Sequence, residues 1–311
     1  MKPRAALLAV ALLLLGGSQA RAQPSRLALL FTAAPTLIGS FVAYDEGFFS
    51  RRGLDVSMLL AANPSTMPAA LLSGSADVAA VQVASLLAAN DGGLDLVVLG
   101  GTEIYPAPYR QGFLVPPGSA IKTPRDLTGH RLGVPGIGAT MDLLSRELFS
   151  RIGVDDSSVI RVEVPMNQMA DALRGGSVDA VAAVEPVYAR IIASGAGVEA
   201  GTYESVIPAG TVFTVYASTR TWADANHATL AAFRAALADA AAFIAVAGND
   251  AAVRASLAKW TRLPVNVVAT MKLPRNLAAT MPASALDFWI GLAARQGLTA
   301  SPPDPSRLIY P

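Results

Sequence analysis

The sequence offers little of the chemistry that enzymes use. Its 311 residues include two histidines and no cysteine. Neither His130, in a turn before a predicted strand, nor His227, near a predicted helix start, fits a catalytic triad or a metal site. Gly136 and Gly138 follow a predicted strand, but Met141 stands where a dinucleotide-binding loop would have its third glycine. We therefore predict no enzymatic activity, no cofactor and no metal. The two glycines instead indicate a helix start whose backbone N–H groups approach an anionic or carbonyl oxygen of a ligand.

A small-molecule site is predicted in the loops that follow the strands, because open α/β sheets bind ligands beyond the carboxyl ends of their strands. These loops carry hydroxyls, amides and an aromatic ring, a mixture typical of such sites. The candidate ligand-binding residues are Pro35, Thr36, Asn63, Ser65, Thr66, Gln82, Ser85, Thr102, Gly138, Ala139, Thr140, Asn167, Gln168, Glu185 and Tyr188. For the serines and threonines helix capping is an equal alternative. For Glu185 the alternative is a hydrogen bond at a hinge or between lobes.

The charges around these loops bear on the ligand. No lysine lies in them, and the only nearby arginine is Arg110, whereas Glu103, Asp142 and Glu185 make the rim acidic if they face inward. A dianion would depend on helix amino termini alone. We therefore expect a neutral or zwitterionic organic solute, for example a nitrogen heterocycle, rather than nitrate or sulfate. An organic solute that carries a sulfonate or carboxylate group stays within the wider predicted class.

A repeated phrase organises the elements that position these loops. Residues 70–81 and 172–182 each read as a helix end, a Gly-Ser turn, an aspartate and an apolar run of strand length. The turn glycine suits the left-handed conformation in which helices end, and Asp77 and Asp179 are expected to bond nearby backbone N–H groups. The apolar runs lack polar alternation, as in strands that are covered on both faces. The repeat predicts two similar α/β lobes.

Strand and helix patterns alternate along the rest of the chain, which predicts mostly parallel sheets flanked by helices. A proline-rich stretch over 106–117 indicates a crossing between lobes. The first lobe is therefore predicted to cover 23–105 plus 217–311, and the second 106–216. The predicted strands are 26–31, 54–60, 78–81, 94–99, 112–115, 131–134, 159–164, 178–184 and 211–218, and the predicted helices include 37–49, 226–246 and 284–296.

The amino terminus indicates export. Lys2 and Arg4 precede an apolar run over 5–15, and residues 20–22 form a small-x-small cleavage site, so 1–22 is predicted to be a cleaved signal peptide. The run is too short to span the roughly 30 Å hydrocarbon core of a bilayer. A mature chain without cysteine cannot be lipidated at an amino-terminal cysteine. These features predict an unanchored protein of the periplasm.

The overall composition bears on which classes of partner are expected. The net charge is +1 and no basic stripe is present, so no nucleic-acid partner is expected. Hydrophobic residues make up 52% of the chain and charged residues 15%, which supports a large core and argues against disorder. We expect a monomer.

Four segments resemble one family of transport proteins. They are similar, in their order along the chain, to segments of nitrate/sulfonate/taurine-type solute-binding proteins of ABC importers. The four segments are YDEGFF with GLDV (44–56), TPRDLTGHRLGV (123–134), GGSVDA with EP (175–186) and the closing segment 289–309. The resemblance implies the type II periplasmic-binding-protein fold, with two α/β lobes joined by two crossover hinges. It also implies that a small solute is held between the lobes and delivered to an inner-membrane permease.

Two alternatives remain. The pyrimidine synthase of thiamine biosynthesis resembles the same family, but that enzyme depends on histidine and cysteine chemistry, which this chain does not offer. A ligand-sensing partner of a membrane receptor would keep the lobe closure and lack a permease.

Overall fold

The computed structural model describes residues 23–61, 64–106 and 110–311. The predicted signal peptide and Asn63 lie outside these residues. Within them the strands are β1 (Ser25–Phe31), β2 (Leu54–Leu60), β3 (Val78–Gln82), β4 (Leu96–Gly101), β5 (Gln111–Val115), β6 (Arg131–Val134), β7 (Ile160–Glu163), β8 (Ala180–Val184), β9 (Val198–Thr202) and β10 (Thr214–Thr219). The helices are α1 (Ile38–Asp45), α2 (Phe48–Arg51), α3 (Met67–Leu72), α4 (Val83–Asp91), α5 (Thr140–Ile152), α6 (Met169–Arg174), α7 (Val187–Ala193), α8 (Arg220–Ala225), α9 (His227–Ala245), α10 (Asp250–Thr261), α11 (Val265–Thr270), α12 (Asp287–Arg295) and α13 (Pro305–Leu308).

The strands form two sheets of matching topology, in the orders β2-β1-β3-β10-β4 and β7-β6-β8-β5-β9. In each sheet one strand, β10 or β5, is antiparallel to both neighbours, and the other four run in the same direction. The chain enters the second sheet through β5 and returns to the first through β10. The predicted fold class, with two lobes built on mostly parallel sheets and two crossovers, is confirmed.

The two crossovers lie side by side. Ile104 and Val212 form an antiparallel bridge, and the Tyr105 N–H donates to the Thr211 carbonyl at 2.8 Å. The strand β10 begins at Thr214, three residues before the predicted lobe boundary at 216/217. The assignment of 23–105 plus 217–311 and of 106–216 to separate lobes stays a prediction.

The repeated phrase occupies equivalent places in the two sheets. Gly74 and Gly176 both adopt left-handed backbone conformations, with φ of 72° and 65°. The expected role of the aspartates needs correction, because they bond across the sheet and not locally. Asp77 Oδ2 accepts from the Ala28 N–H of β1 at 2.7 Å, and Asp179 Oδ2 accepts from the Arg131 N–H of β6 at 2.8 Å. Each aspartate therefore fixes its own strand to the neighbouring parallel strand.

Helix α9 is the one helix of the described residues that is long and apolar enough to cross a membrane, and 33% of its apolar window is buried inside the fold. Its Phe233 stacks on Phe49 of α2 with ring centroids 5.7 Å apart. Its Arg234 donates to the carbonyls of Leu99 and Tyr310 at 2.7 and 2.6 Å. These contacts identify α9 as a helix that covers the first sheet.

Candidate ligand-binding cleft

Two of the predicted residues meet where the two sheets face each other. Gln82 is the last residue of β3, and Thr140 is the first residue of α5, which follows β6. The Thr140 hydroxyl donates to Gln82 Oε1 at 2.7 Å, and Thr140 is only 2% exposed. The carboxyl ends of parallel strands from both sheets thus meet at one place, where a ligand held between lobes would lie.

The amino terminus of α5 carries the Gly-x-Gly pair. Gly138 has a φ of 77°, and Ala139 is the extended residue that precedes the helix. The Gly138 N–H donates to Asp142 Oδ2 and the Ile137 N–H donates to Glu163 Oε1, both at 2.9 Å. Carboxylates of the chain itself therefore accept from both loop amides, and the contact of Gly138 with a ligand oxygen stays a prediction.

The charge of Asp142 is compensated inside the second lobe. Asp142 is fully buried, and it accepts from Arg146 Nε at 3.0 Å and from Arg161 Nε at 3.2 Å. Both arginines also pair with Asp156. Asp142 therefore does not contribute to the acidic rim expected from the sequence, because it lies in a closed network of two carboxylates and two guanidinium groups.

The predicted residues of the first lobe divide into two groups. Thr36 and Thr102 line one small cavity of about 10 Å³, enough for about one water molecule. Thr102 is 4% exposed, and its hydroxyl donates to the Thr214 carbonyl at 2.8 Å. Pro35 is buried at the start of the same turn as Thr36. The remaining described candidates of this lobe are the exposed Ser65 and Thr66, before α3, and the half-buried Ser85, on the first turn of α4.

Glu185 and Tyr188 lie at the beginning of α7. Glu185 Oε2 accepts from the Ala189 N–H at 3.1 Å, so this bond lies within one lobe, and burial raises the pKa of its carboxyl. Tyr188 is fully buried and donates to Glu199, and burial raises the pKa of the phenol. The guanidinium of Arg110 lies 5.1 Å from the Tyr188 ring centroid and pairs with Glu199 at 2.7 Å. The Tyr188 ring therefore packs inside the second lobe.

The other predicted residues and the two histidines are scattered. Asn167 and Gln168 are exposed on the turn after β7. His130 Nδ1 lies 3.7 Å from Asp179 Oδ2, and His227 Nδ1 lies 3.1 Å from the Tyr310 hydroxyl. No group of three or more His, Cys, Asp or Glu residues that could hold a metal ion occurs in the part of the chain that the structure describes.

Sequence reasoning missed Glu163 as a partner of the α5 loop. Glu163 is the last residue of β7, the strand that pairs with β6, and its carboxylate reaches the Ile137 amide one strand away. An acidic residue at the carboxyl end of a neighbouring strand was the available signal. Asp142 gave a more local signal, because it stands in the first turn of α5, where a carboxylate is favoured by the helix dipole.

Comparison with known proteins places this geometry in a family. Residues 34–251 match the family model described as "NMT1/THI5 like". The chain belongs to this family. Solved structures agree in fold with this NMT1/THI5-like protein. The periplasmic aliphatic sulphonate binding protein SsuA from Escherichia coli has 22% identity and a TM-score of 0.77, covering 92% of this chain and 98% of its own. The periplasmic nitrate-binding protein NrtA from Synechocystis PCC 6803 has 16% identity and a TM-score of 0.72, covering 90% and 84%.

A curated relative of this NMT1/THI5-like chain is an enzyme. The 4-amino-5-hydroxymethyl-2-methylpyrimidine phosphate synthase of Schizosaccharomyces pombe is 28% identical over 153 residues. The match covers 49% of this chain and 42% of the relative, so the chain spans less than half the length of that protein. The resemblance drawn from the sequence is thus confirmed as membership of the NMT1/THI5-like family and as agreement in fold with periplasmic binding proteins.

Proposed function

We propose that this protein is the periplasmic solute-binding component of an ABC importer. The observation that carries the proposal is the meeting of Gln82 and Thr140, which brings strand ends of two sheets with matching topology together at one cleft. The agreement in fold with periplasmic sulfonate-binding and nitrate-binding proteins supports it. A solute that contacts both lobes would favour the closed arrangement, which is the one that an importer permease would recognise.

The proposed solute is small, organic, and either uncharged or zwitterionic. An oxyanion would gain little at the α5 loop, because the Ile137 and Gly138 amides already donate to carboxylates of the chain. Arg110, the arginine expected near the predicted loops, already pairs with Glu199. An anion placed there would therefore be desolvated without a matching cation, which is costly.

We propose that Gln82 and Thr140 contact the solute from opposite lobes, with Thr36 and Ala139 beside them. An amide and a hydroxyl can each donate and accept a hydrogen bond, so both suit an uncharged polar solute. The bond between them in this state would be exchanged for bonds to the solute. Thr102 and Tyr188 are left out of this proposed set, because their hydroxyls already serve Thr214 and Glu199.

The remaining elements of the proposal concern location and partners. Residues 1–22 would direct export and be removed, leaving a mature chain that begins at Gln23. The partner would be an inner-membrane permease, and the protein would act as a monomer. Mass spectrometry of the periplasmic protein tests the cleavage, because the mature mass identifies the first residue.

Native mass spectrometry tests solute capture. Protein from a periplasmic extract of its source cells should carry an excess mass that unfolding and refolding remove. The refolded protein should then be stabilised in a thermal-shift panel of a primary amide, taurine, methanesulfonate, nitrate and 4-amino-5-hydroxymethyl-2-methylpyrimidine. A solute at a hundred times its dissociation constant stabilises by about 2.7 kcal/mol, which is readily measured.

The variant Thr140→Val should lose this stabilisation, while the exposed Thr128→Val of the same lobe should keep it. Selective binding of nitrate with no response to the organic solutes would overturn the proposed solute class and leave solute capture intact. A bare polypeptide mass together with no response to any member of the panel would contradict solute capture.

A second candidate, pyrimidine synthesis, is favoured by the match to the yeast synthase alone. The two histidines lie in separate surroundings, beside Asp179 and Tyr310, and the chain has no cysteine. We expect the purified protein to form no pyrimidine phosphate under conditions in which the yeast synthase does. Product formation above that of a heat-denatured sample would favour the enzyme.

A further inference from the structure

One side of α5 faces elements that belong with the first sheet. Thr140 bonds Gln82 of β3, the Leu143 carbonyl accepts from Gln296 Nε2 at 3.0 Å, and Glu147 Oε2 accepts from Arg295 Nη2 at 3.2 Å. Positions 140, 143 and 147 follow helical spacing and therefore lie on one face of the helix. Through this face, the second lobe contacts β3 and the end of α12.

Two of the residues opposite this face belong to the end of α12: Arg295 is its last residue, and Gln296 follows it. Helix α12 packs against α4, and beyond it the Ala300 N–H donates to Asp91 Oδ1, at the end of α4, at 2.9 Å. Farther along, Ile309 bridges to Val98 of β4. The carboxyl end of α12 is thus anchored on the first sheet, and its contact with α5 joins the two lobes.

The amino-terminal part of α12 contacts the crossovers. The Trp289 indole N–H donates to the Val212 carbonyl at 2.8 Å, and its ring packs edge-on against Phe213. Helix α12 therefore extends from the second crossover to α5. A rotation of the lobes about the crossovers would have to slide or break the contacts of Arg295 and Gln296 with α5.

We propose that α12 is a latch, in which Arg295 and Gln296 hold α5 and oppose the opening of the lobes before a solute is bound. The latch lies beside the predicted solute residues and does not include them. It adds to the stability of the closed arrangement whether or not the proposed solute class is right. Opening of the lobes should therefore be controlled by the ion pair between Arg295 and Glu147.

Arg295 allows this contact to be removed cleanly. Glu147 is 8% exposed, and its other oxygen, Oε1, pairs with Arg151 of the same helix at 2.9 Å. Replacing Arg295 leaves Glu147 with this partner, so no unpaired buried charge is created. The Arg295 side chain is itself 56% exposed, so its replacement leaves no cavity in the core.

The interlobe distance can be measured without a known ligand. The natural sequence has no cysteine, so Ala69→Cys on α3 and Asp171→Cys on α6 introduce the only two sites for spin labels. These helices occupy equivalent places in the two lobes. Double electron–electron resonance on refolded, ligand-free protein would then compare the parent with Arg295→Gln, with Arg295→Lys, and with Arg52→Gln. The last variant breaks an exposed ion pair, Arg52 with Asp239 at 2.8 Å, that does not involve α5 or α12.

The parent should give mainly a short interlobe distance, with a minor population at longer distance. Arg295→Gln should raise the population at longer distance about fivefold, in line with the loss of a partly exposed ion pair. Arg295→Lys should restore most of the short distance, and Arg52→Gln should match the parent. Adding 1 M NaCl, which shortens the Debye length to about 3 Å, should move the parent towards Arg295→Gln. An unchanged distribution in Arg295→Gln, or an equal change in Arg52→Gln, would overturn the latch.

Discussion

The two lobes share one topology and differ in what stabilises it. In the first lobe, the Asp77 carboxylate accepts a hydrogen bond from the Ala28 N–H. In the second lobe, Asp179 accepts from the Arg131 N–H and also from the Arg131 guanidinium, at 2.8 Å for Nη2. The carboxylate at the same position therefore accepts from a backbone amide in one lobe, and from a backbone amide and a guanidinium group in the other.

This difference extends through both lobes. The first lobe has an aromatic cluster in which Trp260 stacks on Phe41 and meets Phe31 edge-on. The second lobe has the buried network around Asp142 and its two arginines. The buried charge network around Asp142 thus has no counterpart described for the first lobe, although both lobes have an apolar core. The comparison predicts that acid should weaken the bonds of Asp179 in the second lobe, where a carboxylate that is paired with a guanidinium group loses its charge.

The largest effect is expected from a methyl group added to a glycine of the second sheet. A Cβ on Gly112 would lie 2.1 Å from the Gly201 carbonyl oxygen and 2.8 Å from the Thr202 Cα, both in the backbone of the neighbouring β9. In the first lobe, a Cβ on Gly100 would lie 2.5 Å from the Ala279 carbonyl oxygen, in an irregular segment. Because a paired strand cannot move as a loop can, Gly112→Ala should lower the free energy of unfolding by about 3 kcal/mol or more.

Gly100→Ala serves as the matched variant and should cost about 1 to 2 kcal/mol, since residues near Ala279 can shift. Urea unfolding followed by circular dichroism gives both values. Equal losses in the two variants would contradict the contrast between a strand neighbour and a loop neighbour.

A smaller effect is expected at the two equivalent aspartates. Asp179→Ala should lower the free energy of unfolding by about 3 kcal/mol, because it removes a charged acceptor and leaves both the Arg131 amide and its guanidinium without this partner. Asp77→Ala should cost about 1 to 2 kcal/mol, because one backbone N–H loses its acceptor. Thermal unfolding of the two variants tests the comparison directly. A larger loss in Asp77→Ala would show that the bonds to the Arg131 guanidinium add nothing.

The smallest effect concerns pH. The Arg131 guanidinium lowers the pKa of Asp179 to about 2, whereas an aspartate of an unfolded chain titrates near 3.9. The folded pKa is the lower one, so the contribution of Asp179 is complete above about pH 4 and is lost as the pH falls from about 4 to about 2. Asp179→Asn should therefore flatten the fall of stability over this interval, and Asp77→Asn should not reproduce the full change. Urea midpoints measured from pH 5 to pH 2 test this prediction. If the midpoints of the parent and of Asp179→Asn fall in parallel with pH, the contribution assigned to Asp179 is contradicted.

The local sequence pattern was enough to predict most strands of the two sheets. The predicted strand over 54–60 coincides with β2, and that over 131–134 coincides with β6. The predicted helix over 37–49 is interrupted at Gly47, which has a φ of 71°. The strand β9 was missed, because a short edge strand with a glycine and a glutamate has a weak signal. The helix α7 was not predicted either; it begins directly after Pro186, a residue that is tolerated where a helix starts.

The proposed solute site could be predicted from the sequence only in part. Gln82 and Thr140 were selected because they follow strands, and the structure brings their side chains together. Nothing near Tyr188 in the sequence indicated that its hydroxyl would bond Glu199, on a strand that had not been predicted. A polar residue at a strand end can be located from the sequence, but its partner depends on which strands become neighbours.

The sequence by itself determined the two similar lobes, because hydrophobic periodicity and turn glycines act over a few residues and specify helices and strands locally. Only the tertiary structure decided how the polar groups are used. Glu163 caps a loop on the neighbouring strand, Arg131 completes the bonding of Asp179, and Arg295 reaches Glu147 from a helix 148 residues away along the chain. Hydrogen bonds and ion pairs need atoms within about 3 Å of each other, and the order of strands in the folded sheets sets those distances.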